Sequence, residues 1–521
     1  MKQKLKAQIK ERVASIAYAS IAYNEKGFPS PFLFKDLKKA ALKIIEAMRA
    51  NTEILVVGDY DADGVISSAI MAKFFESLNY KHVRIVIPNR FMDGYGISKK
   101  FLEKHHAPLI ITVDNGINAF EAAQFCKEKN YTLIITDHHC LHHDKIPDAY
   151  AVINPKQPDC DFIQKEVCGA LVAFYLCYGI HQLLGKEKSH SSELLCLAGV
   201  ATIADMMPLT FFNRFLVSKA LYFLQKESLG AMGFLCQREV FRKRSLKASD
   251  ISFNIAPLIN SAGRMQDAKI ALDFLSASNF QDGYSLYERL KACNMKRKMI
   301  QQQVFEEAFK HAMVGEKIIV AFKDNWHEGV LGIVASKLVE ATQKPSLVFT
   351  FKEGVYKGSA RSSPNIDLID ALNGVSSLLL GYGGHRQACG LSVGKNNIVS
   401  LFETLENFDF KVLPFYEKEP PLTLNLKDID RELLEIIEMG EPYGQENPEP
   451  LFQAKNLEVI EEKIIKESHQ VLRFKDKECV KEAIYFNAER FLKAGEKVSV
   501  LFSVELDECS NEPKMFVKSL L

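Results

Sequence analysis

Ile54-Leu55-Val56-Val57-Gly58-Asp59-Tyr60-Asp61-Ala62-Asp63-Gly64 is the stretch that decides the fold. Four apolar, mostly β-branched residues suit a strand buried on both faces of a sheet. Gly58 ends the run, three aspartates alternate over five residues, and Val65 to Leu78 resumes with helical spacing. Open α/β sheets place their sites at the carboxyl ends of such strands. Three carboxylates this close repel one another unless a cation neutralises them, and oxygen ligands favour Mg²⁺ or Mn²⁺. An Asp-rich surface turn would read the same in isolation. Further strands separate the two.

The pattern recurs downstream. Val83 to Pro88 reads as a strand leading into Asn89-Arg90-Phe91-Met92-Asp93-Gly94-Tyr95-Gly96, a glycine-punctuated loop able to approach a ligand closely. Leu109 to Val113 stops at Asp114-Asn115-Gly116, Leu133 to Thr136 at Asp137-His138-His139, and Ala151 to Ile153 at Asn154-Pro155. Helical segments such as Ala119 to Lys129 lie between them. Pro31 to Arg49, with Leu37, Ala40, Ala41, Ile44 and Met48 on one face, precedes them. The alternation predicts a mostly parallel sheet with right-handed crossovers. All its strand tips then share one rim, which gathers Asp61, Asp63, Asp114, Asp137, His138 and His139. The pairs His105-His106 and His142-His143 read as surface residues. Mixed carboxylate and imidazole ligation argues for Mn²⁺, with Mg²⁺ the alternative, and the number of ligands suits two ions.

Composition narrows the class. The 521 residues suit roughly three domains. Hydrophobic content of 47% and charged content of 25% describe an ordinary globular protein. A net charge of +1 excludes bulk attraction of a polyanion, so any nucleic acid needs a local groove. The 11 cysteines show no C-x-x-C pair, which argues against a zinc ribbon or disulfide scaffold and fits a reducing, cytoplasmic setting. Val13 to Tyr23 follows several lysines like a secretory signal. Glu11 and the lack of leucine favour a terminal amphipathic helix instead. No stretch is long enough to cross a membrane.

An apolar helix from Glu193 to Ala204 ends in Asp205-Met206-Met207-Pro208-Leu209, where the residues alone make Asp205 only a helix-terminal acid. Arg238, Arg242, Lys243, Arg244 and Lys247 read as a solvated helix face and turn. In Ile255 to Met265, the small residues of Asn260-Ser261-Ala262-Gly263 precede Arg264 and would let its guanidinium reach a phosphate. Tyr284 to Ala312 predicts a helix of about 45 Å, long enough to connect two domains. Ile318 to Phe322 restarts the β pattern, and Trp326 to Ala335 reads as a loop into a helix. Gly358-Ser359-Ala360-Arg361-Ser362 and Gly381-Tyr382-Gly383-Gly384-His385-Arg386 read as glycine-rich loops whose N–H groups could cradle phosphate. Pro414 to Pro421 is a linker. Beyond Pro442-Tyr443-Gly444-Gln445-Glu446-Asn447-Pro448, short strands at Gln470 to Phe474, Glu482 to Asn487 and Lys497 to Val504 suggest a small barrel.

Gly58 to Gly64, Pro88-Asn89-Arg90 with Gly94-Tyr95-Gly96, Asp114-Asn115-Gly116, Asp137-His138-His139 and Ile203 to Leu209 together resemble the motifs of the DHH phosphoesterase superfamily. The resemblance is to its RecJ-like branch of single-strand-specific 5′→3′ exonucleases, and it runs from about Pro31 to the carboxyl end. It implies an α/β fold: a parallel-sheet DHH domain over 1–215, a helical connector over 216–313, a smaller α/β DHHA1 domain over 314–410 and an OB-fold barrel over 411–521. It makes Asp205 a metal ligand beside Asp61, Asp63, Asp114 and His138, with Asp114 bridging two ions and Asp59 and His139 joining it in catalysis. It assigns Asn260, Arg264, Ser359, Arg361, Gly384 and His385 to substrate phosphates, in a groove between domains too narrow for duplex. The implied product is a 5′-mononucleotide, and the implied setting is DNA repair and recombination. A single-strand-binding protein and a helicase are the implied partners of a monomeric enzyme.

Some relatives place a metal-binding His where this chain has Val57, so one site has fewer protein ligands here or uses Asp59. The barrel of relatives carries an aromatic near its last strands, where Asn511 to Phe516 has no Trp. The chain ends soon after, so the extra carboxyl-terminal domain of some relatives is not expected. Two other readings stay open: a phosphodiesterase for small substrates such as dinucleotides or pyrophosphate, and a catalytically inert scaffold.

Overall fold

The computed structural model describes all residues except 1, 9–10, 12–27, 142–143, 187–191, 227–228, 241–244, 412–419, 478 and 508–509. The expected terminal helix over Val13 to Tyr23, His142-His143, Arg242 to Arg244 and most of the linker lie outside the described residues. The chain forms two compact units, one of residues 1–257, 272–283 and 419–521, the other of 258–271 and 284–418. No described helix is long and apolar enough to cross a membrane. The ten described cysteines are free thiols.

In the first unit, five strands make a parallel sheet: β1 (Ile54–Val57), β2 (Val83–Val86), β3 (Leu109–Val113), β4 (Thr132–Thr136) and β5 (Ala151–Ile153), in the order β2-β1-β3-β4-β5. β1, β3 and β5 are buried at every residue, which is why they read as continuous apolar runs. The winding reverses between β1 and β3, so the loops after these two strands part and leave a crevice. Helices Ala62–Ser77 and Gly169–Leu183 pack together on the sheet.

The expected single helix over Pro31 to Arg49 is broken. Ser30 caps a short 3₁₀ turn, Pro31–Leu33, and Asp36 turns left-handed (φ 60°) before helix Leu37–Arg49. The break lets the Asp36 carboxylate accept the N–H of Val152 on β5 at 3.1 Å. A tertiary bond overrides the local helical pattern.

The carboxyl-terminal part of this unit is a closed five-stranded barrel. Its strands β13 (Phe452–Ile465), β14 (His469–Lys475), β15 (Val480–Tyr485), β17 (Glu512–Leu520) and β16 (Lys497–Asp507) are paired in that order, and β16 returns to β13. A two-residue strand, β12 (Leu422–Thr423), adds to β13. Phe452, Phe474, Tyr485 and Phe502 fill the barrel, and Leu5 joins them from helical residues 2–8. This is the five-stranded architecture of an OB-fold.

Glu449 lies on the loop leading into the barrel. Burial, with Glu505 nearby, raises its pKa to about 7. A carboxyl whose folded pKa is raised makes its full contribution below the unfolded value, and stability is lost as pH rises through about 7. Glu449→Gln is therefore expected to stabilise the protein at pH 8 by about 1–3 kcal/mol and leave it unchanged at pH 4, as read by urea unfolding at both pH values.

The second unit is built on a mixed sheet in the order β10-β11-β9-β8-β7-β6. Its strands are β6 (Met313–Val314), β7 (Ile319–Asp324), β8 (Ser346–Lys352), β9 (Val355–Arg361), β10 (Leu379–His385) and β11 (Ala388–Gly394). Here the glycine-rich loops of the sequence reading are strands. Gly358 to Arg361 lies on β9, and Gly381 to His385 pairs with β11 as a hairpin. The N–H groups of β9 are committed to its two neighbours, so a phosphate cradle of loop N–H groups is not what this segment forms.

Candidate metal centre

Each acidic tip of the sheet has a local reason for its position. Asp61 caps helix Ala62–Ser77, its Oδ1 accepting the Gly64 N–H at 3.1 Å. Asp63, in the helix's first turn, is buried and accepts N–H groups from Gly169 (2.6 Å) and Ala170 (2.9 Å) at the start of helix Gly169–Leu183. Asp114 follows β3 in a left-handed conformation (φ 62°), which a non-glycine residue holds only where its surroundings impose it. Asn115 pins that turn, donating to Val57 O (3.0 Å) and Val113 O (2.9 Å) and accepting the Ile97 N–H (3.0 Å). The ends of β1 and β3 and the glycine-punctuated loop are thereby tied together.

Among the described residues, three overlapping sets of side chains could each hold a cation: Asp59, Asp61 and Asp114; Asp63, His138 and Asp205; Asp114, His138 and His139. His138 Nε2 lies 3.1 Å from Asp114 Oδ1 and 3.6 Å from both Asp63 Oδ2 and Asp205 Oδ2. Burial, and the neighbouring His139, lower the His138 pKa to about 3, so a neutral ring faces three carboxylates. Burial, then the neighbouring acids, push Asp59, Asp114 and Asp205 well above the usual carboxylate range and Asp63 to about 7. The buried oxygens Asp59 Oδ1, Asp114 Oδ1 and Asp205 Oδ2 have no hydrogen-bond donor among the described residues. Acceptors packed against acceptors are unstable unless a cation joins them. The residues fit divalent ions.

Asp137 is near the centre but points elsewhere. Its carboxylate accepts N–H groups from Ile117, His138 and His139 and meets His139 Nδ1 at 2.7 Å. Although burial opposes it, the His139 bond holds Asp137 down at about 2. Burial opposes protonation of His139 too, but the Asp137 bond outweighs it and raises His139 to about 9. His139 is thus an oriented cation, with Nε2 3.4 Å from the Tyr95 hydroxyl. Asp137, expected on the rim with the ligands, is an orienting group because its oxygens are already spent on the β4 turn.

Val57 is fully buried in the sheet core and supplies no ligand, while Asp59 faces the cluster. Asp205 joins the centre from the end of helix Ser192–Ala204. The sequence reading marked the loop of Arg90 and Tyr95 without giving either residue a role, and it did not mark Gly169. Arg90 lies over the Tyr60 ring at 5.1 Å and its charge acts on Asp59. Tyr95 packs edge-on against Tyr60 and His139. A Cβ on Gly169 would meet Asp114 Oδ1 at 2.5 Å.

The expected phosphate-binding residues Asn260, Arg264, Ser359, Arg361, Gly384 and His385 all belong to the second unit. Arg264 ends helix Ala256–Met265 and donates to Gly329 O at 3.4 Å. Arg361 Nη1 donates to Ser359 Oγ at 2.8 Å. Ala388 of β11 pairs with both Arg361 of β9 and His385 of β10, which sets these two basic residues in one row across the sheet. On the barrel, exposed Phe486 stacks on Phe516 (centroids 6.1 Å apart), an aromatic face made without Trp.

Family models match in three places: "DHH family, N-terminal domain" over residues 53–202, "DHHA1 domain" over 315–408 and "RecJ OB domain" over 422–518. The single-stranded-DNA-specific exonuclease RecJ of Bacillus subtilis is 30% identical over 94% of this chain, and the chain spans 64% of that relative's length. The enzyme of the same name from Escherichia coli is 31% identical, over 83% of this chain and 80% of its own. A crystal structure of RecJ with Mn²⁺ from Thermus thermophilus matches with a TM-score of 0.81 at 29% identity, covering 99% of this chain and 78% of that one. Similarity of this extent, with the three domains in one order, means that the chain belongs to the RecJ family of DHH proteins.

Proposed function

We propose that the protein is a divalent-metal-dependent exonuclease that degrades single-stranded DNA from its 5′ end to 5′-mononucleotides, in the cytoplasm, during DNA repair and recombination. The observation that carries this reading is the convergence of Asp59, Asp61, Asp63, Asp114, His138 and Asp205 at the switch point of a parallel sheet, where Asp59, Asp114 and Asp205 each keep a buried oxygen without a donor among the described residues. The relatives' names support single-stranded DNA as the substrate, and the polarity rests on the motif resemblance alone. Asp59 and Asp61 would hold one ion and Asp63, His138 and Asp205 a second, with Asp114, common to two of the ligand sets, between them. Such ions make a hydroxide available near neutral pH and offset charge on the phosphoryl oxygens.

The chain's own groups do the rest. His139, held protonated by Asp137, donates from Nε2 to a phosphate or leaving oxygen. Arg264, Arg361 and His385, with Asn260, Ser359 and Gly384, hold the strand's phosphates. Phe486 and Phe516 on the barrel offer a stacking face for bases. Arg361→Ala is expected to raise KM for a long strand about ten- to hundredfold, the worth of one charge-assisted hydrogen bond, with a smaller change in kcat. Steady-state kinetics on a labelled oligonucleotide would read this.

The decisive assay takes 3′-labelled single-stranded DNA with Mn²⁺, beside a blunt duplex and a 5′-blocked strand. Shortening of the free strand alone supports the proposal. Intact long strands with cleaved dinucleotides would assign a small-substrate phosphodiesterase. No cleavage of either and no Mn²⁺ binding would make the protein a scaffold.

A further inference from the structure

Asp205 reaches the centre from the carboxyl end of a helix, whereas the other ligands lie within a few residues of the ends of β1, β3 and β4. Its N–H still closes on Ala201 O at 2.9 Å, but Met206 beyond it turns left-handed (φ 53°) with its side chain exposed. A non-glycine residue keeps that conformation where neighbouring structure imposes it. Here much of that structure comes from the far end of the chain. The Leu209 N–H donates to Gln445 O at 2.8 Å. The Leu209 side chain seats on Gly444, where a Cβ would come within 2.7 Å of its Cδ1. Arg214, only 7% exposed, sends Nη2 to the carbonyl oxygens of Glu441 (2.5 Å) and Met439 (3.5 Å). Asn213 fixes the other side of the turn through Pro208 O (3.0 Å) and Glu166 O (2.7 Å).

The loop that leads into the barrel is itself stiff. Buried Asn447 donates to Gly440 O (2.9 Å) and Pro442 O (2.8 Å), and Gly444 and Asn447 exchange backbone hydrogen bonds. A buried guanidinium bonded to carbonyl oxygens costs desolvation that an apolar side chain would avoid. It does, however, fix the direction of what it bridges, as packing alone does not. The bridge joins this loop to the segment directly after a proposed metal ligand. All these residues lie in the first unit.

We propose that Arg214 and the loop 440–450 are a positioning device for Asp205, so that the cation affinity of the metal centre depends on how the barrel's lead-in loop is seated. The inference rests on Asp205 being a ligand. Groups bonded to a metal ligand govern affinity without touching the ion. Arg214 and the loop act one step further out, through the turn 206–209 that follows Asp205.

The test measures Mn²⁺ binding to the full-length chain directly, by loss of the free-ion EPR signal, with unfolding temperature in chelator alongside. Arg214→Ala and Gly444→Ala are expected to weaken Mn²⁺ about ten- to hundredfold, and Arg214→Lys to recover part of the loss. Asp205→Asn alone weakens binding at least as much. In that background Arg214→Ala adds nothing, because an absent ligand cannot be mispositioned. Unchanged affinity in a folded Arg214→Ala or Gly444→Ala protein, or a full additional loss in the Asp205→Asn background, overturns the proposal. If Arg214→Ala does not fold, Arg214→Lys and Gly444→Ala decide by the same comparison. Failure of wild type to bind Mn²⁺, or no effect of Asp205→Asn alone, would instead sink the metal reading beneath it.

Discussion

Asp114→Asn should all but abolish Mn²⁺-supported cleavage of single-stranded DNA and, in the same protein, raise the unfolding temperature measured in chelator. Asp114 and His138 are each common to two of the three ligand sets found among the described residues, and of the two only Asp114 carries a charge, so its loss weakens two sets at once. A metal site contributes several kcal/mol to charge stabilisation in phosphoryl transfer. Its disruption should therefore cost about three orders of magnitude or more in kcat. The stability gain has the opposite origin. Burial, then Asp63 and Asp61, raise the Asp114 carboxyl well above its ordinary range. A carboxyl raised in this way is a burden on the folded state at neutral pH, because stability is lost as pH climbs past the unfolded value. Asparagine removes the charge, and its amide can donate to His138 Nε2, which faces Asp114 Oδ1 at 3.1 Å. Each kcal/mol recovered raises the midpoint by about 2–4 °C for domains of this size. Wild type should recover the same stability only by binding Mn²⁺, about 2.7 kcal/mol at a hundredfold excess over Kd. Retention of more than about a tenth of wild-type kcat, or a lower midpoint for the mutant in chelator, would count against the bridge, since loss of one ligand should cost several kcal/mol.

The parts of this fold that could be read in the sequence are those where one chemical need fills every position. β1, β3 and β5 are buried at every residue, so their apolar runs could be little else. The alternation of strands with helices then brought Asp61, Asp63, Asp114 and His138 to one rim before any side-chain geometry was known. The chain gave no such signal at Asp205, whose role depends on where a distant helix ends, and only the family resemblance marked it. The glycine-rich segments of the second unit were misread because glycine carries no side-chain periodicity. Gly381, Gly383 and Gly390 sit in paired strands with open space where a Cβ would be. The turn at Asp36 and the grip of Arg214 on the barrel's lead-in loop are long-range bonds. Nothing within a local window announces them.

Gly169 belongs to the same class, and it carries the second large expected effect. Gly169→Ala should reduce kcat for single-strand cleavage about a hundredfold, the usual cost of displacing a reacting geometry by about 1 Å. Its backbone φ does not require glycine, and alanine is the better helix former. The constraint is steric. A methyl there would sit 2.5 Å from Asp114 Oδ1 and 2.6 Å from Asp114 Cβ, distances at which the carboxylate must move. Asp114 cannot retreat cheaply, because its turn is pinned through Asn115 to Val57 and Val113. The helix start cannot retreat either without releasing the Gly169 N–H from Asp63 at 2.6 Å. Either movement disturbs a proposed ligand, so Mn²⁺ affinity should fall together with kcat. Gly179→Ala on the same helix is the control. Its methyl would press on the flexible Leu37 side chain at 2.5 Å, away from the acids, and should change the unfolding temperature without changing Mn²⁺ affinity. Equal Mn²⁺ affinity for Gly169→Ala and wild type would mean that Asp114 has more freedom than its hydrogen bonds imply. The rigid approach of helix Gly169–Leu183 would then not be what holds the centre in register.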